Sequence, residues 1–175
     1  TLAPELDENK WLMQACAERG IAVSVGHSDA TYAEIRRAVE SGLRHVSHTF
    51  NGMRAFNHRE PGVVGAALEI DDLSCEVIAD GVHVHPAAIR LLVKAKPDNK
   101  VALVTDSISG TGTPPGTVEL QGRRVHYTER EARLPDGTLA GSVLTMDQAL
   151  RNLIEITGRP AEELYAYSSL NAARV

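Results

Sequence analysis

The sequence of 175 residues predicts an α/β fold in which a parallel sheet is covered by helices. Short apolar runs alternate with amphipathic helical stretches at the spacing of βα units. Four of these runs are followed almost at once by a histidine or an aspartate. Because the carboxyl ends of parallel strands form the face where ligands bind, this repetition indicates a functional site at that face.

Up to Pro61 the hydrophobic pattern predicts two helices and two strands. Glycines follow both helical stripes and end them, at Gly20 and Gly42. The strands are short apolar runs, as in sheets that are buried on both faces. In order, the predicted elements are helix Asp7–Arg19, strand Ile21–Val25, helix Ala30–Ser41 with Asp29 as its N-cap, strand His45–Ser47 and a polar loop from His48 to Pro61.

The alternation continues from Gly62 and then gives way to a different pattern. Proline at the start of one helix is tolerated there because the first helical turn needs no N–H donor. Beyond Gly110, residues typical of turns separate short alternating runs, which predicts a β-hairpin excursion near residues 117–140. The elements are helix Gly62–Leu68, strand Ser74–Ala79, helix Pro86–Lys96, strand Val101–Thr105, the hairpin, helix Val143–Ile156 and a helical stretch from Ala161.

Composition and charge exclude several classes of partner. The net charge is −5 and no cluster of Lys or Arg occurs, so we expect no nucleic-acid partner. We expect no membrane partner either, because no apolar run approaches the length of a membrane span. Cys16 and Cys75 are far apart in sequence and unlike a zinc or disulfide pattern. They are typical of small buried side chains in a reducing compartment, which favours a cytoplasmic location.

Four polar residues at predicted strand ends are the candidate site: His27, His48, His83 and Asp106. Two imidazoles at the ends of neighbouring strands suit a catalytic metal site, whereas a single histidine there is more often structural. Asp106 fits two roles equally well, a catalytic carboxylate or a cap for the next element. We interpret the remaining histidines as surface groups or as groups that support the site: His45, His58, His85 and His126.

Six short motifs resemble one known family in composition and order. GHSDAT, HTFNGM, REPG, ADGVHVHP, LVTDS and DGTLAGS are similar to segments of the N-acetylglucosamine-6-phosphate deacetylases, which belong to the amidohydrolase superfamily. The resemblance covers nearly the whole chain. It implies the later portion of a (β/α)8 TIM-type barrel, with residues 1–175 forming a partial barrel domain.

The resemblance also implies an activity, a cofactor and a role for each candidate residue. The implied reaction is hydrolysis of the acetamide of N-acetylglucosamine 6-phosphate to glucosamine 6-phosphate and acetate. One divalent metal ion, zinc first, with iron, manganese or cobalt as alternatives, supplies hydroxide for attack on the acetyl carbonyl. The implied roles are metal binding by His27 and His48, general base and acid catalysis by Asp106, a contact near the acetyl carbonyl by His83, and substrate binding by Asn51, Gly52, Arg59 (phosphate), Leu139, Ala140 and Gly141.

Several parts of the family pattern have no counterpart in this chain. The family has a third metal ligand, a glutamate upstream of the TLAPE segment, and Glu5 corresponds to a different family position. The first barrel strands, a flanking β-sandwich and the extreme C-terminus are also absent from the match. We therefore expect the 175 residues alone to bind metal weakly and to be inactive. The resemblance further implies a homodimer for the full-length protein.

Two other functions stay open on the sequence. The chain could belong to another amidohydrolase that acts on a cyclic amide or an N-acylated sugar, such as a dihydroorotase-like enzyme. It could also be an inactive fragment that binds phosphosugars. Arg59 and the Asn51-Gly52 pair favour a phosphorylated sugar as the small-molecule partner.

Overall fold

Four parallel strands form the main sheet, in the order β1-β2-β3-β4. The computed structural model describes residues 1–6 and 10–175 of the chain. A helix follows each of the first three strands and returns the chain to the start of the next one, which is the βα alternation that the sequence predicted. The strands are β1 (Val23–Val25), β2 (Leu43–Val46), β3 (Ser74–Val77) and β4 (Val101–Leu103).

The α-helices of the described residues lie close to the predicted bounds. Residues 7–9, where the sequence predicted the start of the first helix, lie outside the described residues. In this part of the chain no helix is both long and apolar enough to cross a membrane. The helices are α1 (Lys10–Glu18), α2 (Tyr32–Glu40), α3 (Gly62–Glu69), α4 (Pro86–Ala95), α5 (Met146–Thr157) and the short α6 (Ala161–Leu164).

The hydrophobic core lies between the sheet and its helices. Val25, Val46 and Val77 have no exposed surface, and α5 packs against α4 and β4 to close the core on that side. Cys75 is part of this core, and burial raises the pKa of its thiol to about 11. Its neutral thiol therefore acts as a small apolar side chain, as predicted, while Cys16 is half-buried and also free.

The prediction that Asp29 caps α2 is wrong. Thr31 is the N-cap: its side chain accepts a hydrogen bond from the N–H of Glu34, and the Glu34 carboxylate accepts one from the N–H of Thr31. This reciprocal capping box leaves no N-cap role for Asp29. Instead, Asp29 receives two hydrogen bonds of 2.8 Å from the Arg54 guanidinium.

The apolar stripe predicted for the first helix is only partly buried. Trp11 is 67% exposed and Leu12 is 37% exposed, while the buried residue of α1 is Met13. Ile21 is 54% exposed and precedes β1, which begins at Val23 rather than at Ile21 as predicted. The stripe therefore predicted the helix correctly but not which of its side chains are buried.

The predicted hairpin is present as part of a three-stranded antiparallel sheet of β5 (Gly116–Leu120), β6 (Arg123–Tyr127) and β7 (Ala132–Arg133). Gln121 and Gly122 connect β5 to β6 with φ values of 52° and 75°. Positive φ at both positions is the requirement of a two-residue type I′ turn, whose twist matches that of paired strands. The sheet packs its own small core around Val125 and Tyr127.

Candidate active site

The register of β1 and β2 places His27 opposite His48. Val25 of β1 pairs with Val46 of β2. His27 lies two residues after Val25, and His48 lies two residues after Val46. Pairing continues past the end of β2, because the N–H of Ser47 donates to the carbonyl oxygen of Val25 at 2.9 Å. The two imidazole rings lie edge to face, with centroids 4.8 Å apart. The structure therefore brings together the two histidines that the sequence singled out.

Three of the predicted site residues have a left-handed backbone conformation. The φ values of His27, His48 and Asp106 are 51°, 31° and 51°. A non-glycine residue in such a conformation costs of order 1–3 kcal/mol, and this strain concentrates at functional sites. In the described part of the chain, Phe50 and Gln121 are the only other non-glycine residues with positive φ. The backbone geometry thus marks these strand ends independently of their side-chain chemistry.

The loop after β2 contacts both histidines. The backbone N–H and the side-chain amide of Asn51 both donate to the carbonyl oxygen of His48, at 3.0 and 3.1 Å. Gly52, with φ of 59°, lies so close to His27 that an added Cβ would be 2.8 Å from the ring Nδ1. The carbonyl oxygen of Gly52 accepts a hydrogen bond from the N–H of Ser28. Asn51 and Gly52 therefore both support the histidine pair through backbone contacts.

The segment Leu139–Gly141 lies beside the backbone of Asp106. The N–H of Ser142 donates to the carbonyl oxygen of Asp106 at 2.8 Å, and a Cβ on Gly141 would be 3.1 Å from the same oxygen. The Asp106 residue itself is exposed beyond the end of β4. The small residue at position 141 thus allows the segment to approach the end of β4 closely.

His83 forms a buried pair with Asp80 after the end of β3. The ring Nδ1 lies 2.6 Å from Asp80 Oδ2, and the two side chains are only 5% and 7% exposed. Asp80 Oδ1 accepts the backbone N–H groups of Val82 and His83, each at 2.8 Å. Burial alone would raise the pKa of Asp80, but these hydrogen bonds outweigh it and keep the pKa below its usual range.

Arg59 occupies an exposed turn away from these contacts. Its N–H donates to Asn57 Oδ1 at 2.9 Å, and no hydrogen bond or ion pair joins its guanidinium to another described residue. Glu60 anchors the turn, since its carboxylate accepts the N–H groups of Tyr32 and Gly62. The turn is therefore held at its base while the Arg59 side chain projects from it.

Comparison with known proteins gives the family of this chain. The model of the amidohydrolase family matches residues 4–175. The chain belongs to the amidohydrolase family. It is 44% identical over 99% of its length to an N-acetylglucosamine-6-phosphate deacetylase of Lysinibacillus sphaericus, and 38% identical over 99% to an N-acetylgalactosamine-6-phosphate deacetylase of Escherichia coli O157:H7. In each case the chain spans less than half of the relative, 45% and 46% of its length.

A solved structure supports the same α/β fold for this amidohydrolase. The N-acetylglucosamine-6-phosphate deacetylase of Thermotoga maritima superposes with a TM-score of 0.93 and is 39% identical in sequence. The match covers 99% of this chain and 47% of the Thermotoga chain. The similarity therefore extends from sequence motifs to the arrangement of the elements that carry them.

Amidohydrolases are generally metal-dependent, and the histidine pair fits two positions of a metal site. Two imidazoles bound to one tetrahedral ion, with metal–nitrogen distances near 2 Å, have ring centroids about 5 Å apart. The 4.8 Å separation of His27 and His48 agrees with this arrangement. In addition, His48 Nδ1 is buried without a hydrogen-bond partner among the described residues. No group of three possible ligands occurs in that part of the chain, so the pair supplies an incomplete ligand set.

Two supporting carboxylates of this amidohydrolase were not predicted as site residues. Glu76 accepts the His48 backbone N–H at 3.1 Å through one oxygen and lies 3.0 Å from His45 Nε2 through the other. Burial would raise the pKa of Glu76, but these hydrogen bonds lower it below its usual range. The only sequence signal for Glu76 was the position of an acidic residue within the apolar run SCEVIA. The second supporting carboxylate is Asp80, which lies within the ADGVHVHP motif.

A third carboxylate organises the segment after β1. Glu5 accepts hydrogen bonds of 2.7 Å from the Ser28 hydroxyl and from the N–H of Asp29. Its two oxygens thus hold the residues that directly follow His27, rather than standing free as ligands. His45 is 94% buried with its ring against Glu76, whereas His58, His85 and His126 are exposed, as expected for surface groups.

Proposed function

We propose that this chain is the later part of the barrel of a metal-dependent deacetylase that acts on N-acetylglucosamine 6-phosphate. The observation that carries the proposal is the convergence of the His27 and His48 rings at adjacent strand ends. The chain that carries them is 44% identical to a relative named N-acetylglucosamine-6-phosphate deacetylase. Histidine pairs of this kind are suited to bind a divalent ion for hydrolysis.

The rest of the barrel completes the domain. A (β/α)8 barrel has eight parallel strands and about 250 residues. The parallel sheet of this chain has four strands among the described residues. A catalytic zinc site generally has three protein ligands and one open position. We therefore assign one ligand, a carboxylate, to the part of the relatives' length that this chain does not span, and the two histidines to this chain.

The chain's own residues divide the chemistry of amide hydrolysis. When bound, the divalent ion lowers the pKa of a water molecule and polarises the acetyl carbonyl. The exposed Asp106 carboxylate takes a proton from the attacking water and returns it to the departing amine nitrogen. His83 donates a hydrogen bond to the carbonyl oxygen as negative charge develops there, a contribution worth about 3–4 kcal/mol for a well-placed donor.

Substrate binding uses the loops that surround the strand ends. The Arg59 guanidinium has no partner among the described residues and binds the 6-phosphate as a planar, two-pronged donor. The Asn51–Gly52 loop and the segment Leu139–Gly141 contact the sugar. In a homodimer, the projecting turn that carries Arg59 can reach the site of the partner subunit.

The test is a substrate panel with the complete enzyme, measured as acetate release. We expect turnover of N-acetylglucosamine 6-phosphate and a much lower kcat/KM for the unphosphorylated sugar. N-acetylgalactosamine 6-phosphate is the second candidate, because one relative with 38% identity carries that name. Preference for a cyclic amide in the same panel would assign the chain to another branch of the amidohydrolases.

Metal analysis separates an enzyme from an inactive sugar-binding protein. We expect one divalent ion per complete protein, lost in His27→Ala and in His48→Ala. Asp106→Asn should retain the ion and lose deacetylation, because the amide cannot accept the proton of the water. Normal turnover by Asp106→Asn would refute the catalytic role of Asp106. Absence of a bound ion from the wild-type protein would favour the alternative, an inactive protein that binds phosphosugars.

A further inference from the structure

We propose that Asp80 is a positioning residue that keeps Nδ1 of His83 protonated and leaves Nε2 as the only ring nitrogen available to a ligand. The inference concerns the role given to His83 above and so rests on the proposed function. It identifies which form of the ring can perform that role.

The first step is the hydrogen-bond pattern of the Asp80 carboxylate. Oδ1 accepts two backbone N–H groups, those of Val82 and His83, and Oδ2 lies 2.6 Å from the His83 Nδ1. An ionised carboxylate can only accept hydrogen bonds. Because both side chains are almost completely buried, water has little room to replace this contact. The Nδ1 atom must therefore carry a proton and donate it.

Burial would ordinarily favour a neutral Asp80, which could donate instead. The hydrogen bonds from His83 and Val82 overcome that tendency, and the pKa of Asp80 lies below its usual range. The carboxylate is consequently ionised at neutral pH, in agreement with the geometry.

The second step concerns Nε2. In a neutral imidazole one nitrogen donates and the other accepts, so a proton fixed on Nδ1 leaves Nε2 with a lone pair. Neutral His83 can then accept a hydrogen bond but cannot donate one to a developing oxyanion. Only the imidazolium form donates through Nε2, and the negative charge of Asp80 stabilises that form. His83 therefore acts as a charged donor.

Two other charged side chains lie near Asp80. Asp80 lines a cavity of about 410 Å³ together with Glu129 and Arg130, whose charges are opposite, and with the neutral side chains of Gln148 and Asn152 from α5. Within the described residues, Asp80 is the only side chain that forms a hydrogen bond or ion pair with the His83 ring.

The substitution Asp80→Asn should move the proton of the neutral ring from Nδ1 to Nε2, while changing the shape of the side chain at position 80 very little. The two backbone N–H groups still need an acceptor, so the amide oxygen takes the place of Oδ1 and the amide NH2 faces Nδ1. A donor at that place requires Nδ1 to accept. The neutral ring of the variant therefore carries its proton on Nε2.

Long-range ¹H–¹⁵N NMR of the complete protein reads the ring directly, with His83→Gln used to assign its signals. In the wild-type protein we expect the neutral ring to have its proton on Nδ1. In Asp80→Asn we expect the proton of the neutral ring on Nε2. Glu119→Gln, the same acid-to-amide change at an exposed position of β5, should leave the ring unchanged. A wild-type ring protonated on Nε2, or one tautomer shared by wild type and Asp80→Asn, would overturn the proposal.

The pH profile of kcat/KM adds a readout that a purely structural role would not move. In the wild-type enzyme kcat/KM should decline at high pH, because the neutral ring cannot donate a hydrogen bond through Nε2. That decline should be absent from Asp80→Asn, whose neutral ring donates through Nε2. A uniform loss at every pH, with the decline retained, would contradict the inference. The NMR result needs no turnover, so a switched tautomer in a protein without deacetylase activity would refute the proposed function alone.

Discussion

Replacing Gly52 with alanine tests how closely the loop after β2 must approach His27. Gly52 has φ of 59°, and an alanine Cβ there would lie 2.8 Å from the ring Nδ1 and 3.2 Å from Cε1. Carbon atoms pack at about 3.5–4.0 Å, so the ring or the loop must move by roughly 1 Å. Because we propose His27 as a metal ligand, displacement of its ring by that amount is expected to lower metal affinity by about 10- to 100-fold, as loss of supporting contacts does.

Gly20→Ala is a matched control for the backbone strain. Gly20 has a similar φ of 65°, but an added Cβ there would meet no atom within 4 Å. Both variants should lose about 1–2 kcal/mol in the free energy of unfolding, the cost of placing an L-residue in the left-handed conformation. Only Gly52→Ala should lose zinc affinity and turnover.

Urea denaturation of the metal-free complete protein and competition with a zinc chelator measure the two effects separately. Equal zinc affinities for Gly52→Ala and Gly20→Ala would refute the reasoning, because the contact with His27 would then have no bearing on metal binding. Loss of stability in Gly52→Ala far beyond that in the control would instead show that the clash spreads through the fold.

Three further predictions concern the core, an ion pair and the phosphate. Leu153 in α5 has no exposed surface, so Leu153→Ala should lower the free energy of unfolding by about 2–5 kcal/mol in urea denaturation. Truncation of Leu91, which is 53% exposed, should cost little, and equal losses would contradict the packing. The Arg159 guanidinium lowers the pKa of Asp98, so the ionised carboxylate stabilises the protein above a pH of about 4 and loses that effect as the pH falls through its folded pKa. Asp98→Asn should therefore flatten the acidic part of the curve of unfolding free energy against pH, and an unchanged curve would exclude the ion pair. Arg59→Ala should raise KM for the phosphorylated sugar by about 10- to 100-fold, the value of charge-assisted hydrogen bonds, and equal effects on an unphosphorylated acetyl sugar would refute phosphate binding.

Most of the fold could be predicted because strands and helices have local sequence patterns. The alternation of β-branched runs with helical stripes predicted β1 to β4 and the helices between them, within a few residues. The error at Asp29 has a local cause too. Asp29 and Thr31 are both suitable caps, and Glu34, three residues after Thr31, was the deciding signal for a capping box. The exposure of Trp11 had no such signal, because periodicity indicates an apolar face without showing what covers it.

The candidate site could be predicted in part for the same reason. His27, His48 and Asp106 follow apolar strands directly, so topology alone places them at one edge of the sheet. The roles of Glu76 and Asp80 could not be predicted, since each depends on which atoms its carboxylate reaches in three dimensions.

By itself, the sequence of this amidohydrolase determined the order of its elements and the chemical types of residue at the strand ends. Both follow from short-range rules of hydrophobic spacing and from the direction of parallel strands. Only the tertiary structure decided that two imidazoles lie 4.8 Å apart and that a buried carboxylate holds the His83 ring. These contacts depend on strand register and on left-handed loop residues, which join distant segments and leave no periodic trace in the chain.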